Sequence, residues 1–240
     1  MPSLPASVTA LPRAATVARL RDQVSALESR SDDPIYPVSA VLTPLLPYGG
    51  LKAGSAYCLT SPALVAPLLA EASRAGLWCG LVGLPDFGAE AAKLAGVTLD
   101  RLALVPNPGS QWLTAVATLS SALPIVGVKP PLAVSPADAA KLAARLRDHA
   151  SVLLVVGSWP GSQATLSLNE PGWSGLGEGW GRLTSRAVSL TVASKIYPRA
   201  KSRQVLLPGP DGCLTAAPLA SSADRVVDEL ARRPPLRMAA

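Results

Sequence analysis

Few side chains in this sequence are able to do chemistry, and their spacing excludes most reaction classes. His149 is the single histidine, so no site with two imidazole ligands can form, and a Ser-His-Asp arrangement would depend on what His149 alone can reach. It ends an arginine-rich stretch, KLAARLRDH, where a cation suits the carboxyl end of a helix. Cys58, Cys79 and Cys213 are odd in number, far apart and without a C-x-x-C pair. Each lies in an apolar run, as a buried reduced thiol does. The glycine-rich string GLGEGWG at 175–181 could be taken for a dinucleotide fingerprint, which needs a strand before it and a helix N-terminus directly after it. GRLTSRAVSLTV follows instead, a strand pattern, so the glycines belong to a loop between strands.

What remains is charge. Residues 1–181 carry 12 Lys/Arg against 12 Asp/Glu, and residues 182–240 carry 10 against 4, so the whole net charge of +6 belongs to the last quarter of the chain. Arg182, Arg186, Lys195, Arg199, Lys201 and Arg203 fall within 22 residues, with no acid between Glu178 and Asp211. On adjacent antiparallel strands, spaced about 4.8 Å apart, they are expected to form one patch able to meet phosphates or an acidic partner. Trp180, Arg182 and Arg186 are the candidates for contact with single-stranded DNA, since an aromatic face beside guanidinium groups suits base stacking. Arg199, Lys201 and Arg203 are the candidates for contact with a protein partner.

The elements that must position these residues follow from periodicity. Residues 1–13 hold three prolines and no repeat and read as a mobile tail. From Ala14 to Arg30, Val17, Leu20, Val24 and Leu27 recur at spacings of 3, 4 and 3, one apolar stripe on a helix too short to stand alone. It is expected to dock on its own domain or on another subunit, which includes self-association. Prolines at 34, 37 and 44 then predict an extended linker to Tyr48, so that residues 14–47 precede a core at 48–214. Within the core, strands at 55–60, 77–84, RLALVPN, 124–128 and 151–156 alternate with helices near 63–75, 88–95, 111–121 and 137–149. Ser135 caps the last of these helices, with Pro136 at its first position. That alternation predicts a mainly parallel sheet flanked by helices. Polar-apolar alternation in TLSL, LTSRAVSLTVAS and RQVLLPG adds antiparallel strands, and PGPDGC supplies a hairpin turn. Residues 215–240 read as a tail with a short helix at 222–232, where Val226, Val227 and Leu230 share one side.

The composition fits that architecture. The chain has 240 residues, 49% apolar but only 4% aromatic, so its core must be Ala, Leu and Val, which let helices pack closely on a sheet. A domain of this size buries roughly 70% of its unfolded surface and needs no disulfide or metal. The N-terminus lacks the apolar core of a signal peptide, and no uncharged run approaches the roughly 18 apolar residues of a membrane span. The expectation is a soluble cytoplasmic protein.

Several strings carry a family resemblance: LLPYGGLKAGS, AGLWCGLVGLPDFG, RLALVPNPGSQW, SPADAAKLAARLRDHASVLLVVGSWPG, GLGEGWGRLTSR and LLPGPDG. Together they resemble the RecA core, and more closely the actinobacterial RecA-like accessory proteins (ImuA type) of the mutagenic translesion cassette, over about residues 14–214. The resemblance places a strand-to-helix phosphate loop at Thr60-Ser61-Pro62-Ala63-Leu64-Val65-Ala66-Pro67. A working loop needs G-x-x-x-x-G-K-[ST], whose backbone N–H groups close on phosphate while Lys neutralises it. This turn has no glycine and no lysine, and its two prolines each remove a donor. The acid expected after the second strand has only Asp86 as a candidate, and the metal-holding acid after the strand at 124–128 is replaced by Lys129-Pro130-Pro131. No cofactor and no catalysis are expected.

By this resemblance the protein is a non-catalytic scaffold for a Y-family-like polymerase homologue (ImuB type) and an error-prone replicative-type polymerase, with weak binding of single-stranded DNA and none to membranes. The alternative is a nucleotide- or DNA-binding regulator, such as a cell-division regulator of the SulA type, which shares the RecA-derived shape and whose partner would be tubulin-like instead.

Overall fold

The computed structural model describes residues 33–176 and 181–217, with side chains at 33–169 and 185–217. The chain divides into two compact units, Met1–Pro34 and Ile35–Ala240. The expected tail 1–13, the stripe Val17, Leu20, Val24 and Leu27, Trp180 and the helix at 222–232 lie outside the described residues. Of Arg182 only the backbone is described.

A nine-stranded sheet forms the body. Its parallel part contains β3 (Ala56–Leu59), β4 (Cys79–Val82), β5 (Leu102–Val105), β6 (Ile125–Val128) and β7 (Val152–Val156). Four helices connect them: α1 (Val65–Arg74), α2 (Ala89–Leu94), α3 (Trp112–Ala122) and α4 (Pro136–Asp148). The antiparallel part follows as β8 (Ala164–Leu176), β9 (Gly181–Ser194), β10 (Lys201–Leu206) and β11 (Thr215–Ala216). Across the sheet the order is β11-β10-β9-β8-β3-β7-β6-β4-β5, with β8 parallel to β3 and antiparallel to β9. This is the expected fold class.

Alternation along the strands builds two cores, one on each face. Tyr57 and Leu59 face α1 with Leu64, Leu68 and Leu69. Ala56 and Cys58 face the other way, toward Val116 of α3 and Leu142 and Leu146 of α4. Tyr57 is fully buried, and its hydroxyl accepts the Lys52 N–H at 2.9 Å. The expected cap of α4 is present: the Asp138 N–H donates to Ser135 Oγ at 3.1 Å. Among the described residues, no helix is long and apolar enough to cross a membrane.

Three expectations need correction. The proline-rich stretch up to residue 47 is not an extended linker beyond Pro34. Ile35–Tyr36 is a strand, β1, paired antiparallel with β2 (Leu51–Lys52), and the chain between them turns back on itself. Val38, Leu42, Leu45 and Leu46 are buried against the sheet among Val188, Leu190 and Val192. Each buried leucine contributes roughly 1.5–3 kcal/mol, enough to hold a segment that prolines keep out of regular structure. The tail likewise begins later than residue 215, because Val205 and Leu206 pair with Ala216 and Thr215. The thiol reading holds for Cys58 and Cys79, which are buried. It fails for Cys213, which is half-buried on the surface turn before β11, its Sγ donating to the Leu94 carbonyl at 3.3 Å.

Candidate functional site

The described residues offer one place where charge, an apolar concavity and the carboxyl ends of parallel strands meet, which is where open α/β sheets bind ligands. A cleft of about 330 Å³ lies beyond the ends of β3, β4 and β6. One wall is the start of α1, with Ala63, Ala66 and Pro67. The second is the β4–α2 loop and α2, with Phe87 and Ala91. The third is the turn after β10, with Leu207, Pro208 and Gly212. Lys129, Asp86 and Arg186 are its charged members.

Each wall has a local cause. Pro62 starts a single 3-10 turn that leads into α1, and the Ala63 N–H donates to Ser61 Oγ at 3.3 Å, closing that helix start on itself. Gly83 has φ +71°, and a Cβ there would stand 2.7 Å from the Lys129 carbonyl oxygen. Only glycine therefore lets the end of β4 pass so near Lys129. Gly212 (φ +81°) does the same for the third wall, bringing the turn onto Leu94 of α2. Arg186 is tied to that turn: its Nε donates to the Leu207 carbonyl at 2.9 Å, its N–H to the Pro208 carbonyl at 3.0 Å, and its carbonyl accepts from the Leu207 N–H at 2.7 Å.

The cations expected to form one patch separate into two places. Lys201 stands opposite Val192 and Arg203 opposite Leu190, while Arg186 lies four residues further along β9. At a rise of about 3.4 Å per residue that is roughly 13 Å, far enough to place Arg186 at the cleft and the others at the opposite end. Lys195, Arg199, Lys201 and Arg203 are exposed around the β9–β10 turn. Lys201 is engaged within the fold: its Nζ donates to the Pro44 carbonyl at 3.0 Å and lies 3.9 Å from the centre of the Tyr197 ring. Lys195, Arg199 and Arg203 carry the exposed charge of this end. His149 closes α4 at its carboxyl end, as the sequence indicates.

Sequence reasoning named Asp86, Lys129 and Arg186 separately and missed the cleft they share. The recurrence of Ala63 and Ala66 at the start of α1 and of Ala91, Ala92 and Ala95 along α2 was the available signal. Among the described residues, no group of three or more His, Cys, Asp or Glu side chains could hold a metal. The cleft itself contains no histidine, cysteine or hydroxyl side chain.

Comparison with known proteins gives the chain a family. The chain is 33% identical over 167 residues to the uncharacterized protein Rv3395c of Mycobacterium tuberculosis, spanning 65% of this chain and 74% of the mycobacterial protein. Residues 44–161 match the MT3502 N-terminal domain family. The chain belongs to this family. The matched segment of the MT3502 N-terminal domain runs from the buried turn before β2 to just past β7, and so takes in all four helices and the cleft residues from Ala63 to Lys129. Arg186 and the Leu207–Gly212 turn come from outside that segment.

Proposed function

We propose that the protein is a non-catalytic accessory subunit of a DNA-damage-induced, error-prone polymerase complex, built on a RecA-like core that no longer works as an ATPase. The observation that carries this reading is the turn after β3. The position where a phosphate loop would present backbone donors holds Pro62 and Pro67, which have none, and an Ala63 N–H already engaged by Ser61. Lys129 stands at the end of β6, where a metal-holding acid would be needed for phosphoryl transfer. The alternation of strands and helices in a mainly parallel sheet supports this reading, and the mycobacterial relative is consistent with an actinobacterial accessory protein. In this reading the partner is a polymerase, as the family resemblance implies, and the basic end and the apolar cleft are surfaces available to it. Affinity capture of the tagged protein from DNA-damaged cells should return a Y-family-like polymerase. Return of a tubulin-like division protein in its place would overturn the reading, as would ATP binding with a dissociation constant below about 10 μM, or about −7 kcal/mol.

A further inference from the structure

We infer that the edge of β10, at the basic end of the sheet, takes up an extended acidic segment of a partner protein, added as a strand with alternate carboxylates toward Lys201 and Arg203. The identity of the partner rests on the accessory-subunit reading, whereas the chemistry of the segment rests on the edge. Residues 34–70 and 179–210 hold no Asp or Glu. The fold packs these two stretches together: Leu42, Leu45 and Leu46 share a core with Val188, Leu190 and Val192, and Lys201 donates to the Pro44 carbonyl. Lys195, Arg199, Lys201 and Arg203 therefore stand exposed on acid-free chain, and among the described residues none of them makes an ion pair. A carbonyl and a ring hold the Lys201 ammonium without neutralising it.

The backbone supplies the second half of the recognition. Main-chain groups of successive strand residues point alternately to the two sides of the strand. Gln204 points away from β9, and its carbonyl accepts from the Ala217 N–H at 3.1 Å. Two residues back, Ser202 presents its N–H and C=O to the same side, past the Val205–Leu206 stretch that β11 pairs. Lys201 and Arg203 flank it on one face, roughly 7 Å apart at the rise of a strand. An added strand carries its own alternate side chains at that repeat. Charge then selects the occupant. A second copy of β10 would set cations against cations, which is unfavourable across strands. A nucleic-acid strand meets the cations but has no polypeptide main chain to pair with Ser202. An extended acidic segment satisfies both, its main chain giving affinity and its carboxylates selectivity.

The test is fluorescence anisotropy of labelled heptapeptides titrated with the full-length protein. One peptide alternates Glu with Val, a second has Gln for each Glu, and a third is the acidic peptide with N-methylated amides. The acidic peptide should bind about tenfold more tightly than the Gln peptide, or by about 1.4 kcal/mol. Arg199→Glu with Arg203→Glu should remove that preference. Ser202→Pro deletes the edge N–H and no bond of the β9–β10 ladder, and should abolish binding. Ser202→Ala, which loses the hydroxyl contact to Thr191, should bind as the unchanged protein does. The N-methylated peptide should fail as well, which reads the edge without altering the protein. Equal binding of the Glu and Gln peptides, full binding of the N-methylated one, or none of the acidic one at about 1 mM, the limit of about −4 kcal/mol, would each overturn the inference. So would a dimer in sedimentation that Ser202→Pro dissociates, which gives the edge to a second copy, or binding of an oligothymidylate in place of the peptide, which gives the cations to a phosphate backbone. Because the titration uses no polymerase, its failure leaves the accessory-subunit reading standing, and failure of the affinity capture leaves the edge standing.

Discussion

The Arg186 Nε donates to the carbonyl of Leu207 at 2.9 Å, while the backbones of the two residues exchange a second bond at 2.7 Å. This pairing fixes the turn that closes the cleft onto the long β9 strand. Replacing Arg186 with Gln removes the side-chain bond and one of the two cations. Stability should fall by about 1 kcal/mol, a typical net value for such a bond, read as a lower urea midpoint with unchanged slope. Resonances of residues 207–212 should shift more than those around the β9–β10 turn.

The packed segment after Pro34 makes a second prediction. Tyr36 donates its hydroxyl to the Ala150 carbonyl at 2.6 Å across 114 residues, and Leu42 is wholly buried. Leu42→Ala should cost about 2–5 kcal/mol and Tyr36→Phe about 1 kcal/mol, both by chemical denaturation. A flexible linker would tolerate both changes without loss.

Cys79 and Tyr57 give the fold a pH dependence. Burial pushes the Cys79 thiol up to about 12 and, with the Tyr48 phenol adding to it against a Lys52 backbone bond, lifts the Tyr57 phenol well above its ordinary value. Both groups stay protonated in the folded chain at pH values where the unfolded chain loses the proton. Stability is therefore full below about pH 8.5, the unfolded thiol value, and falls as pH rises from there toward 12. Cys79→Ala should flatten the fall in urea midpoint measured between pH 8 and pH 10.5. At pH 8 a thiol reagent should modify the half-buried Cys213 well before the buried Cys79.

The basic end can be tested without disturbing the fold by leaving Lys201 in place. Lys201 bonds to Pro44 and lies over Tyr197, so its reversal would confound charge with packing. On the accessory-subunit reading, Arg199→Glu with Arg203→Glu should weaken both capture of a polymerase partner and any single-stranded DNA binding. In the unchanged protein the DNA affinity should fall with salt at a logarithmic slope of about −0.7 per phosphate contact, and the double variant should show a shallower slope. Intact partner binding in that variant would make this end an ordinary solvated surface.

The sequence by itself determined the elements and the sheet class. Unalternated apolar runs such as VLLVV could only be strands buried on both faces, and Ser135-Pro136 could only open a helix, because these features depend on neighbours within a few residues. The defects of the turn at 60–67 and the Lys129-Pro130-Pro131 replacement were equally legible, since proline removes a donor wherever it stands. The partition of charge between Arg186 and the β9–β10 turn was not. It depends on register, on which residues of β10 stand opposite which residues of β9, and a position four residues along a strand looks local in sequence but lies roughly 13 Å away. The burial of Leu42 and Leu46 was hidden for the same reason: they join a core cluster whose other members include residues as distant in sequence as Val188, Leu190 and Val192. The cleft belongs wholly to the tertiary structure. Its walls are small, ordinary residues from three distant segments, and only the close approach of Gly83 to Lys129 and of Gly212 to Leu94 brings them around one space.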